Sequence, residues 1–163
     1  MALHRLDDLS WGFATNCFVC APGNERGLRV PFFYDDEDDV VRAEYSLGRD
    51  FSGPPNYVHG GVTLAIVDDA MAWAAIASAT TFAFTATTST TFLRPVLVDH
   101  RHRVEARVLG RRAEGNLDLG AVVLDGDGRR CVETRAAFLA VSVQQARSAI
   151  GEVTGVDAVY LRD

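Results

Sequence analysis

The chain has 163 residues, 48% of them hydrophobic, and a formal net charge of −6. That is long and apolar enough for one domain with a sizeable core, and it excludes a disordered chain. The acidic balance argues against nucleic acid as a partner, and because all 16 basic residues are arginines, Schiff-base and pyridoxal chemistry through lysine is excluded.

Residues 1–16 are mixed in character and read as a short helix or an N-terminal arm. The first twenty residues hold His4, Arg5, Asp7 and Asp8 and no apolar run, so no secretory leader is expected. Cys17 and Cys20 form a CxxC ahead of the Pro22-Gly23-Asn24 turn. A structural zinc site wants four ligands and no second cysteine pair exists, and a redox CxxC should open a helix in a βαβ unit whereas this one precedes a Pro-Gly turn, so the expectation is that these cysteines are structural and that no metal is bound. Three cysteines, an odd count, fit a reducing, cytoplasmic setting.

Leu28–Tyr34 and Val40–Leu47 read as two strands around the acidic stretch Asp35 to Asp39, expected to be a solvated hairpin tip. Gly53 to Ala77 then organises the whole chain. Pro54 and Pro55 hold the approach extended, Gly60 and Gly61 allow a tight step, and Val62 to Ala77 is a helix apolar on nearly every face. Such a helix should be buried, with Met71 and Trp73 in the core. Asp68-Asp69 interrupts it, and the interruption argues against a membrane span. A carboxylate in an apolar helix costs several kcal/mol unless it is paired or used (roughly the penalty of a poorly solvated polar group).

Four strands follow. Thr81–Val96 is rich in β-branched and aromatic residues. Arg101–Leu109 alternates, with His102, Val104, Ala106 and Val108 on the inward face. Leu117–Leu124 and Arg130–Val141 flank Asp125-Gly126-Asp127-Gly128, a hairpin signal. Cys131 is expected in the core. The tail, residues 144–163, is weakly patterned and expected to be peripheral. An antiparallel sheet curled round one buried helix, an α+β architecture, satisfies this order of elements.

At this point GPPNYVHGGVTLAIVDDAM resembles the signature of hotdog-fold acyl-CoA thioesterases of the phenylacetic-acid-degradation (PaaI-like) type. The resemblance extends from the cysteine-containing segment Cys17 to Leu28, through Thr91-Phe-Leu-Arg-Pro-Val96, to the DGDGRR hairpin, and so covers roughly residues 17–141. It implies a single hotdog domain over 1–163, an acyl-CoA substrate, thioester hydrolysis and no cofactor. It places the oxyanion contact at the Gly60 N–H, His59 beside it, and the general base or nucleophile at Asp68. Thr85 falls near the family's water-positioning hydroxyl and Asn56 near its amide. Gly61 and Arg94 are placed beside the substrate, Arg94 as a packing residue, a carboxylate partner or a phosphate contact.

Spacing adds one constraint. Gly60 and Asp68 are separated by about 12 Å along a helix, whereas an oxyanion donor and an attacking group must both lie about 3 Å from one carbonyl. One chain cannot supply both, so the mechanism implies a homodimer or a dimer of dimers, with each site shared. Two alternatives stay open: a hotdog enoyl-CoA hydratase, and a non-catalytic acyl-CoA or ligand-binding protein. His59 as a mere turn or cap residue, and one of the two aspartates bonding a neighbouring loop, are likewise open.

Overall fold

The computed structural model describes residues 3–7 and 16–151; the remainder of the expected arm and tail lies outside the described residues. The elements in order are β1 (Leu3–Leu6), β2 (Phe32–Asp35), β3 (Val40–Tyr45), helix α1 (Gly60–Ala77), β4 (Ala83–Phe92), β5 (His102–Arg111), β6 (Leu117–Asp125), β7 (Arg130–Ala140) and helix α2 (Val143–Ile150). Seven strands form one antiparallel sheet in the order β1-β2-β3-β5-β6-β7-β4. The sheet curls round α1, which packs on β2 through β6.

Alternation builds the wall of this core. On β5, His102, Val104 and Ala106 are buried, and Leu117, Leu119, Ala121 and Val123 do the same on β6. Nine residues of α1 are buried, among them Ile66, Met71 and Trp73. Burying each large side chain contributes about 1.5–3 kcal/mol. By length and mean hydropathy (1.4) α1 could span a membrane; here it is the axis of the sheet.

The helix is not covered on every side. Gly61 and Leu64 are exposed and Ala65, Asp68 and Ala72 are half-buried, one stripe at helical spacing. Beside it β4, the last strand of the sheet, has exposed residues at eight of its ten positions. A strand paired on one edge alone leaves the amides and carbonyls of its other edge without a ladder.

Four local readings change. Residues 3–6 are an edge strand, not a helix. β2 is shorter than expected because Leu28 and Val30 instead donate to the carbonyls of Phe18 and Val19 at 2.8 Å, tying down the cysteine loop. The acidic turn is not simply solvated. Asp35 is buried; its carboxylate accepts from the amides of Glu37 and Asp38 and from Arg42 Nη1 at 2.5 Å. The tail opens as a capped helix, in which Ser142 accepts from the Gln145 amide, the Gln145 side chain accepts from the Ser142 amide, and Ala146 is fully buried.

Candidate active site

The approach to α1 is fixed from both sides. Val58 N–H donates to the Val96 carbonyl and His59 N–H to the Phe51 carbonyl, each at 2.8 Å. His59 is the N-cap residue, and its ring Nδ1 accepts from the Gly61 amide at 2.9 Å. The proton of the neutral imidazole therefore sits on Nε2. A Cβ at position 61 would lie 3.1 Å from that Nδ1, so only glycine lets the ring close on the amide without displacement. The Gly60 N–H lies one residue earlier, where a helix offers no internal acceptor and the dipole favours negative charge.

A cleft of about 310 Å³ opens at this amide, lined by Tyr57, Gly60, Thr63, Phe92, Leu93 and Arg94 among others. Arg94 reaches the Arg130 carbonyl at 2.7 Å through Nη1. Asn56 is exposed beside the approach, and its backbone carbonyl accepts from Val98 N–H at 3.1 Å. Gly60 and Arg94 thus share a cleft, whereas Asp68 lies two turns further along α1.

At that second position Thr85 Oγ1 donates to Asp68 Oδ1 at 2.6 Å, across 17 residues of sequence. The short bond fixes one carboxylate oxygen and leaves the other for a proton or for carbon. Asp69 turns away from this pair. It is half-buried against the loop of Cys17 and Cys20, with Cys17 Sγ 3.7 Å from Oδ1. Burial, with the Cys17 charge adding to it, pushes the Asp69 carboxyl up to about 8. The two adjacent carboxylates therefore occupy different sites on different faces of one helix.

The sequence-expected residues fall into two groups. His59, Gly60, Gly61 and Arg94 meet at the N-terminus of α1, with Asn56 on the segment leading in. Asp68 and Thr85 meet at its middle. The convergence of Asp69 with Cys17 and Cys20 is not among the expectations from sequence. Its one signal is an apolar run, Val19 to Ala21, buried in the core, which fastens the CxxC to α1 rather than leaving it in a free turn.

An antiparallel sheet wrapped on one central helix, with its site elements at the N-terminus and middle of that helix, is the hotdog fold. Residues 55–113 match the thioesterase superfamily. A solved thioesterase-superfamily protein, RHA08564, superposes with a TM-score of 0.69 at 25% identity; the match covers 74% of this chain and 58% of that one. Escherichia coli PaaI, from the phenylacetic acid degradation operon, superposes with a TM-score of 0.58 at 15% identity, over 64% of this chain and 74% of that one. Smu.793 of Streptococcus mutans, solved bound to acetyl CoA, gives 0.59 at 13%, over 63% and 82%. No curated protein sequence matches. The chain has the hotdog fold, and residues 55–113 of it are similar to the thioesterase superfamily.

Proposed function

We propose that the chain is an acyl-CoA thioesterase that works as a homodimer or a dimer of dimers. The observation that carries this reading is the Thr85–Asp68 bond of 2.6 Å, eight residues along the helix from an amide suited to an oxyanion. The thioester oxygen accepts from the Gly60 N–H of one protomer. Asp68 of the other, oriented by Thr85, either removes a proton from water or attacks the carbonyl carbon. In the first route the tetrahedral oxyanion collapses to the free acid as the CoA thiolate leaves and takes up a proton; in the second the same collapse leaves an acyl anhydride on Asp68, which a water molecule then hydrolyses to the free acid and the restored carboxylate. His59 holds the amide-bearing turn. Arg94, in the same cleft as Gly60, is placed to meet an anionic part of CoA.

The exposed stripe of α1 and the open edge of β4 are the surfaces suited to bring two copies together. Leu64 is 37% exposed, Phe84 47% and Phe92 51%, and a two-fold axis would set the two helices antiparallel, Gly60 of one beside Asp68 of the other. Acyl-CoA fits as substrate because a structural neighbour is solved with acetyl CoA. The setting consistent with three free cysteines is cytoplasmic.

The test is release of free thiol from a panel of saturated acyl-CoA esters, which separates hydrolysis from hydration of an enoyl ester and from mere binding. Asp68→Asn should lower turnover by orders of magnitude. Gly60→Pro deletes one N–H at a helix position where proline is tolerated, and His59 already has the extended backbone that precedes proline (φ −57°, ψ 132°). Its turnover should fall about 10²–10³-fold, while Gly60→Ala, which keeps the N–H, should remain active. Refolding the Asp68→Asn and Gly60→Pro chains together should restore about a quarter of wild-type activity, because half the dimers are mixed and each holds one intact shared site. No recovery on mixing would refute the shared site; thiol release unchanged in Asp68→Asn would refute the role of Asp68.

A further inference from the structure

The loop of Cys17 and Cys20 lies outside the proposed thioesterase chemistry, yet it is built with care. Its backbone is clamped by Leu28 and Val30 at 2.8 Å, and by Ala21 N–H donating to the Cys17 carbonyl at 3.3 Å. Cys17 is half-buried and Cys20 buried. The Cys20 amide donates to Cys17 Sγ at 3.1 Å, and the two sulfurs stand 2.6 Å apart. Asp69 of α1 closes the group, its oxygens 3.7 and 3.9 Å from Cys17 Sγ and one of them within 4.8 Å of Cys20 Sγ.

Two chemistries suit a pair of thiols beside a carboxylate. Across a tetrahedral zinc ion two thiolates stand roughly 3.8 Å apart, and a structural site needs four ligands. Here the sulfurs are closer than that, and among the described residues only three donors converge. The separation is instead about half an ångström beyond a covalent S–S bond.

We propose that Cys17 and Cys20 form a reversible dithiol–disulfide site, with Cys17 the attacking thiol, Cys20 the resolving thiol, and a low-molecular-weight disulfide as oxidant. The Cys17 thiolate attacks one sulfur of the disulfide RSSR, and RS⁻ leaves and takes a proton from water. Cys20 loses its proton to water and attacks Cys17 Sγ, expelling the second RS⁻, which takes a proton from water in turn. The pair loses two electrons and two protons, and RSSR becomes two RSH.

The division of labour follows from placement. Cys17 is the more accessible sulfur, and the Cys20 thiol and amide hold it below the usual thiol range, at about 6. Cys20 is enclosed and pushed upward by its bond to Cys17 and by burial, so it stays a thiol until a proton acceptor takes its hydrogen. Cys131, buried on β7, serves as an internal control.

The experiment exposes reduced, folded protein to oxidised glutathione, quenches with an alkylating agent under denaturing conditions, and reads intact mass and the modified peptides. The wild type should fall from three alkylatable thiols to one, Cys131, with the loss of two hydrogens, no retained glutathione, and full reversal by reduced glutathione. Cys20→Ser, or Cys20→Ala if the serine variant is insoluble, should stop at a stable glutathione adduct on Cys17. Cys17→Ser should leave Cys20 unmodified. The proposal is overturned if Cys17 and Cys20 both remain alkylatable in the wild type, if a bridge forms through Cys131, or if purified protein holds stoichiometric metal that masks the pair until a chelator is added.

Discussion

Asp69→Asn gives the sharpest thermodynamic test of how α1 accommodates its second carboxylate. The substitution keeps shape and removes only the capacity to ionise. In the folded chain the carboxyl is held at about 8 against an ordinary value of 3.8, first by burial and then by the charge on Cys17. A group whose folded pKa is raised stabilises the fold fully below its unfolded pKa, and the contribution is lost as pH rises through the folded value. A shift of about four units at 1.36 kcal/mol each sets a ceiling of about 5–6 kcal/mol. The Asn variant has no such loss. Relative to wild type it should therefore gain stability steadily from about pH 4 to about pH 8, by at least about 2 kcal/mol, and then level off. Cys17, lowered to about 6 chiefly by Cys20, has the opposite sign. Its contribution is present at high pH and lost as pH falls through about 6; both proteins carry Cys17, so only its coupling to Asp69 survives in the difference. The assay is urea unfolding of both proteins across this range with reductant present. Parallel stability–pH curves would show that Asp69 is not held protonated by its surroundings, and the placement of its carboxyl against the cysteine loop would be wrong.

Three further outcomes follow from the geometry. Thr85→Val removes the donor to Asp68 at an exposed position and should lower kcat about tenfold or more with the melting temperature unchanged; an unaltered kcat would remove Thr85 from the site. Leu64→Arg puts a charge on the exposed stripe of α1, and light scattering should report loss of the oligomer together with loss of thiol release; an active monomer would contradict the shared site. Asp35→Ala strips a buried carboxylate from Arg42 and from two turn amides and should cost about 3 kcal/mol in urea unfolding, whereas a loss under about 1 kcal/mol would show that Asp38 and Glu105 suffice for Arg42.

Most of the architecture is legible in the sequence because it is written in periods that the sheet and helix impose. Alternation at His102 to Val108 and the Asp-Gly pairs at 125–128 are short-range signals, and β5 and the β6–β7 hairpin stand where those signals do. β1 is not legible because four residues, three of them exposed, carry too little pattern to separate an edge strand from an arm. The opening of α2 is hidden for a similar reason. Its stability derives from the Ser142–Gln145 capping box and a single buried alanine rather than from an apolar face. Asp35 reads as solvated because composition sees five consecutive acids, while only the turn geometry shows that the first one points inward to Arg42. The candidate site is legible at the level of helix spacing, because the rise per residue alone separates Gly60 from Asp68. Contacts across the chain, such as Thr85 to Asp68 or Cys17 to Asp69, depend on the curvature of the sheet and on a loop tied back to residues 28–30, which no local pattern encodes.

The tandem Asp68-Asp69 shows why two adjacent carboxylates can persist in an apolar core helix. Successive residues on a helix point about 100° apart, so one turn carries a charge toward the open stripe and another toward the packed wall. Asp68 reaches the stripe, keeps partial contact with water, and takes a hydrogen bond from a side chain on the edge strand. That environment leaves Asp68 an acceptor in partial contact with solvent. Asp69 meets a closed loop whose polar groups are two thiols and a few amides, and the same apolar surroundings that cost it its charge give it a reason to hold a proton. Exchanging the two roles would require rotating α1 against a sheet that packs its buried residues from β2 to β6, which the close fit of Ile66, Val67, Ala70 and Met71 prevents. The helix packing that makes the core thus also decides which carboxylate faces the open stripe beside Thr85 and which faces the cysteines.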